Sequence, residues 1–109
     1  MTSETIAQLI QIAQSHHINF LGLFGSAARD ELTAQSDIDL AVRFAQPVTL
    51  LEMVDIQLAM TAVLQRAVDL VPIDDMYPFM RDSIKNDLVV LFDAQDHSQP
   101  VELARHVYA

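Results

Sequence analysis

The 109-residue chain has no cysteine and only two glycines. The missing cysteine excludes disulfides and thiolate metal sites, and leaves the redox compartment undetermined by that route. Cations are scarce as well: six Lys and Arg stand against fifteen Asp and Glu, for a net charge of −9. Arg29, Arg43, Arg66, Arg81, Lys85 and Arg105 are scattered and form no run. A nucleic-acid backbone is gripped by clustered cations, so a polynucleotide substrate is not expected. The most apolar long window, "VTLLEMVDIQLAMTAVL", carries Glu52, Asp55 and Gln57, which argues against a membrane span. The N-terminus, "MTSETIAQLIQIAQ", is polar with an early acid, unlike a signal peptide, so a cytoplasmic location is expected.

Apolar residues are plentiful. They make up 51% of the chain against 19% charged, a balance that favours folding over disorder. The mean hydropathy is slightly positive, which hints at apolar surface covered by a partner or a second subunit. The length suits one domain, 1–109, with a core over about 6–92 and a tail over 93–109.

Periodicity predicts the elements. Ile6, Leu9, Ile10 and Ala13 are spaced as one face of a helix over about 2–15. "FLGLF" (20–24) reads as a buried strand ended by Gly25-Ser26, and 27–32 as a short helix. "DIDLAVRF" (37–44) is a second strand. Pro47 then marks a turn, and Thr49 followed by Glu52 is a capping-box signature for a helix to about 65. "AVDLVPI" (67–73) is a third strand, 78–86 a helix, "LVVLF" (88–92) a fourth strand, and 101–108 a short C-terminal helix. Alternating strands and helices predict an α/β or α+β fold with a mixed sheet of about four strands.

Both glycines, Gly22 and Gly25, fall within four residues of each other, shortly before Asp37 and Asp39. Glycine lets a strand turn sharply and lets backbone N–H groups approach a ligand, and Ser26 adds a hydroxyl donor. On a strand, Asp37 and Asp39 project to one face while Ile38, Leu40 and Val42 face the core. Like charges on a partly buried face repel, and a hard divalent cation such as Mg²⁺ relieves the repulsion. Asp69 sits inside the apolar third strand, where a lone carboxylate needs a partner. Should that strand neighbour the second, three carboxylates could hold two metal ions roughly 3.5–4 Å apart.

Gly25-Ser26, ten residues, then Asp37-Ile38-Asp39 resembles the signature of the nucleotidyltransferase superfamily related to DNA polymerase beta. The short length and the later Asp69 resemble its minimal nucleotidyltransferase (MNT) branch, over about Ile6 to Phe92. The resemblance implies the polymerase beta-like fold, with Gly25, Ser26 and Arg29 at the nucleotide triphosphate. It implies Asp37, Asp39 and Asp69 as catalytic residues and ligands of Mg²⁺, Asp69 also being the general base towards an acceptor hydroxyl. Arg29 would pair with phosphate, Asp30 or Asp37. Many family members carry a second glycine where this chain has Asp30, an acid close to the expected triphosphate.

MNT proteins are typically paired with HEPN-domain toxins. The resemblance therefore implies an antitoxin, in a hetero-oligomer, that transfers AMP from ATP to a tyrosine of a HEPN ribonuclease toxin and silences it. Two other readings are a non-catalytic module that neutralises its partner by occlusion, and nucleotidyl transfer to a small molecule. Elsewhere, His16, His17, His97 and His106 lack metal-ligand spacing and read as solvated. Ser36, Asp74-Asp75 and 93–96 read as polar turns, and Met53, Met60, Met76 and Met80 as core filler.

Overall fold

Alternating apolar residues in the strands decide the architecture. In the computed structural model, which describes residues 1–31, 33 and 36–94, every strand turns one row of side chains into a common core. The elements run α1 (Ser3–Ser15), β1 (Ile18–Phe24), β2 (Ile38–Phe44), α2 (Leu50–Leu64), β3 (Val68–Pro72), a 3₁₀ turn (Ile73–Asp75), α3 (Pro78–Lys85) and β4 (Val89–Asp93). The sheet order is β3-β2-β1-β4. β1 pairs antiparallel with β2 and with β4, and β2 pairs parallel with β3, so the sheet is mixed as expected.

Leu21, Leu23, Ile38, Leu40, Val42, Val68 and Leu70 form the buried row of the sheet. Ile6, Leu9 and Ala13 of α1 and Ile56 and Met60 of α2 cover it. Both helices are capped by threonine: Thr2 Oγ1 accepts from Thr5 N–H, and Thr49 Oγ1 accepts from Glu52 N–H, each at 3.1 Å. The Glu52 carboxylate lies 3.5 Å from His16 Nδ1, tying α2 to the end of α1. His16 is thus half-buried beside a carboxylate rather than fully solvated.

Four expectations change. β1 begins at Ile18, two residues earlier than read, because Ile18 is buried and pairs with Phe44. Residues 25–30 form turns instead of a helix. Arg29 N–H reaches Gly25 O at 3.3 Å, and Glu31 N–H reaches Ser26 O at 2.8 Å, but no ladder continues from them. β4 extends to Asp93, into the residues read as tail, and Ala94 N–H bonds Asn19 O at 2.9 Å. Met80 is 39% exposed and is not core, while Met60 and Met76 are buried. The expected helix at 101–108, with His97 and His106, lies outside the described residues.

Ile56 of α2 has no exposed surface and belongs to the buried core cluster. Ile56→Ala is expected to cost about 2–5 kcal/mol, against under about 0.5 kcal/mol for Leu58→Ala on the outer side of the same helix. Urea unfolding of the two variants checks the contrast.

Candidate active site

The parallel register of β2 and β3 places Asp39 directly beside Asp69, and the antiparallel register of β1 places Phe24 on the other side of Asp39. Cα partners share a face, so both carboxylates leave the sheet on the side away from α1 and α2. Asp37 immediately precedes β2, which begins at Ile38. The sheet therefore brings the three acids towards one end. Asp39 is half-buried, whereas Asp37 and Asp69 are exposed. Asp69 lies on the edge strand, so the burial penalty expected for it does not arise.

Crowding is visible in the electrostatics. Desolvation, then Asp69, then Asp37 push the Asp39 carboxyl above its ordinary range, with a smaller opposing pull from Arg29. Gly25 is built around the same carboxylate. It has φ +72°, and a Cβ added there would run into Asp39 Oδ2. The turn thus needs glycine for its backbone conformation and for the space Asp39 occupies. With turns rather than a helix at 25–30, a helix N-terminus contributes nothing to anion binding here. What remains at Ser26 is a half-exposed hydroxyl beside the carboxylates' glycine. Gly22 serves packing instead. A Cβ there would come within 2.7 Å of Leu88 Cδ1, so its absence allows the chain before β4 to lie close over β1.

Asp30 occupies the left-handed region at φ 58° and is exposed. That conformation explains why a glycine suits the position elsewhere, and aspartate is among the few side chains that tolerate it. Arg29 pairs with Asp87 at 3.1 Å and Glu31 at 3.3 Å, so of its expected carboxylate partners it takes neither Asp30 nor Asp37. The pairs fasten the Gly25 turn to the segment before β4. Arg66 carried no sequence signal, yet its Nη1 donates to Thr33 O at 2.6 Å and Ser36 O at 3.2 Å. It holds the loop that delivers Asp37. Ser36 behaves as the turn residue expected, accepting from Thr33 N–H at 3.0 Å.

Among the described residues, no three His, Asp or Glu side chains form a ready-made metal cage. The donor set nonetheless fits a hard cation. Magnesium is ordinarily held by one or two carboxylates, several waters and substrate phosphates, and the mutual repulsion at Asp39 is what such an ion would relieve. The cleft of about 670 Å³ lined by Val42, Phe44, Leu50 and Pro72 is at the opposite end of β2 and contains none of these acids.

Two outcomes follow for the site. Gly25→Ala is expected to cost about 1–2 kcal/mol from its backbone conformation alone, with a further loss from displacing Asp39, measurable by urea unfolding. A carboxyl whose value is raised by folding binds its proton more tightly in the folded state. Its ionisation therefore subtracts stability as pH rises through the folded value, and the penalty is absent below the unfolded value of about 3.9. Asp39→Asn should accordingly raise Tm near neutral pH, with the gain disappearing at the acid end of a pH series. An unchanged Tm at neutral pH would contradict the crowding.

Comparisons with known proteins place the chain in a family. The family model described as "Polymerase beta, Nucleotidyltransferase" matches residues 7–98. A Methanocaldococcus jannaschii protein provisionally named protein adenylyltransferase MJ0435 is 32% identical over 87 residues, which cover 80% of this chain and 94% of that one. A crystal structure of a toxin–antitoxin with AMP-PNP superposes with TM-score 0.73 at 18% identity, over 99% of this chain and 85% of that one. A tri-AMPylated Shewanella oneidensis HEPN toxin in complex with MNT antitoxin gives TM-score 0.68 at 18% identity, over 99% and 84% of the two chains. At that identity the two structures show likeness of fold. With most of its length matched by the family model, the chain belongs to the polymerase beta nucleotidyltransferase family.

Proposed function

We propose that the chain is a Mg²⁺-dependent protein adenylyltransferase acting as an antitoxin in the cytoplasm, with ATP as donor and a tyrosine hydroxyl of a HEPN toxin as acceptor. The observation that carries the reading is the registered pair Asp39–Asp69, joined by Asp37 and backed by Gly25. The M. jannaschii relative's name and the AMPylated toxin in the S. oneidensis complex support a protein acceptor.

In this reading Ser26 and the Gly25 turn receive the triphosphate, and Arg29 turns from Asp87 and Glu31 towards it. Asp37, Asp39 and Asp69 would hold Mg²⁺, which when bound offsets charge on the phosphates. The exposed Asp69 takes the proton of the acceptor hydroxyl as the hydroxyl oxygen attacks the α-phosphate. One O–P bond forms, the bond between the α-phosphate and the departing oxygen breaks, and pyrophosphate leaves. Holding the two reactants in line is most of the catalysis. A protein acceptor that stays bound during transfer makes a hetero-oligomer with a HEPN toxin part of this reading.

Incubation with Mg²⁺, α-labelled ATP and a lysate of the native host tests the reading. A labelled protein band is expected, reduced at least about a hundredfold with the Asp37→Asn/Asp39→Asn double variant. Mass spectrometry of the band then identifies the acceptor residue. Label confined to small molecules would move the acceptor class, and no label with any nucleotide would leave occlusion as the mode of neutralisation.

A further inference from the structure

Helix α2 is apolar on two sides. Met53, Ile56, Met60, Val63 and Leu64 face the core. At about 100° per residue, Leu51, Val54 and Leu58 fall on the opposite side. They are 72%, 46% and 63% exposed, and Leu50 beside them is 81% exposed. A helix that is apolar all round is ordinarily buried, and a contiguous exposed apolar stripe marks an interaction surface. Leu50 also rims the cleft of about 670 Å³, whose far wall is Pro72, Asp74 and Asp75.

Acids dominate the charge around this surface. Asp55 flanks the stripe, and exposed Asp74 and Asp75 close the cleft. Among the described residues, the one cation lining the cleft is Arg43, and it is already 3.6 Å from Asp74. A second copy of the chain, carrying the same net charge of −9, would bring these acids against their own kind. The complement is a surface with an apolar stripe edged by Lys or Arg.

We propose that the outer face of α2 and the adjoining cleft dock a basic helix of a protein partner through its apolar stripe. Because α2 covers the sheet face opposite Asp39 and Asp69, a partner seated there leaves the carboxylates accessible. Binding and transfer then occupy separate surfaces. Naming that partner as the protein acceptor rests on the function proposed above, but the docking chemistry does not.

The test uses a fluorescent synthetic helix of about 18 residues, long enough to be helical, with Leu at i, i+3, i+4 and i+7 spacing and Lys elsewhere. Titrated with the full chain, it is expected to bind. Counterparts with Glu for Lys or Ser for Leu are expected not to. Leu51→Asp and Leu58→Asp should each weaken binding about tenfold or more, and added salt should weaken it further. Leu58→Ser, with circular dichroism on every variant, guards against a folding defect. Undiminished binding by all three variants would overturn the proposal. A dimer in sedimentation that Leu58→Asp dissolves would assign the face to self-association instead. Tighter peptide binding by Leu103→Asp would assign it to the chain's own tail. In the labelling assay, Leu51→Asp should raise KM for the protein acceptor and leave kcat unchanged. If no protein is labelled, the functional reading fails while the peptide titration still decides the docking.

Discussion

Like-charge crowding at one end of the sheet organises much of what surrounds it. Asp39 lies in register with Asp69 across one strand boundary and with Phe24 across the other. Its carboxyl is pushed up by burial and by its two acidic neighbours. Holding such a group in place costs stability, and the cost recurs in the neighbouring chain. Gly25 must be glycine because the carboxylate occupies the volume of a Cβ. The loop before Asp37 is fastened by Arg66, and the turn after Gly25 by Arg29. Carboxylates crowded in this way favour any cation that neutralises them, because binding then removes a repulsion already present in the fold.

The economy of glycine makes sense on the same grounds. Among the described residues, His17, Asp30 and Gln65 also adopt left-handed backbone, at φ 57–62°, without being glycine. Each tolerates roughly 1–2 kcal/mol of conformational cost where a Cβ has room. At Gly25 the left-handed conformation coincides with a side chain in the way. At Gly25 the backbone conformation and the Asp39 carboxylate together exclude a side chain.

The two faces of the sheet divide the labour. α1 and α2 cover the face carrying Leu40, Val42, Val68 and Leu70, and supply the core that fixes the strand register. The other face carries Asp39 and Asp69, with Phe20 and Arg43 stacked at 5.8 Å further along. Chemistry on one face can therefore change without disturbing the packing that positions it. Among the described residues no helix is long and apolar enough to cross a membrane.

The strand and helix order, the three acids and the glycine turn were legible in the sequence because each depends on local periodicity or on a fixed spacing between residues. Alternation around Ile38, Leu40 and Val42 alone sends Asp39 to the opposite face. Other features needed the folded chain. Residues 27–30 have good helix formers in Ala27 and Ala28, yet the turn bonds back to Gly25 and Ser26 prevail over propensity. Arg66 and Asp87 lie 30 and 58 residues from the partners they hold, a separation no local pattern encodes. The exposure of Leu51 and Leu58 was hinted at by the mean hydropathy but not located by it. The sequence by itself determined which chemical groups are available and which side of each strand they take. Tertiary structure decided that β3 lies parallel beside β2, because strand order is set by long-range packing, and that placement is what puts Asp69 next to Asp39.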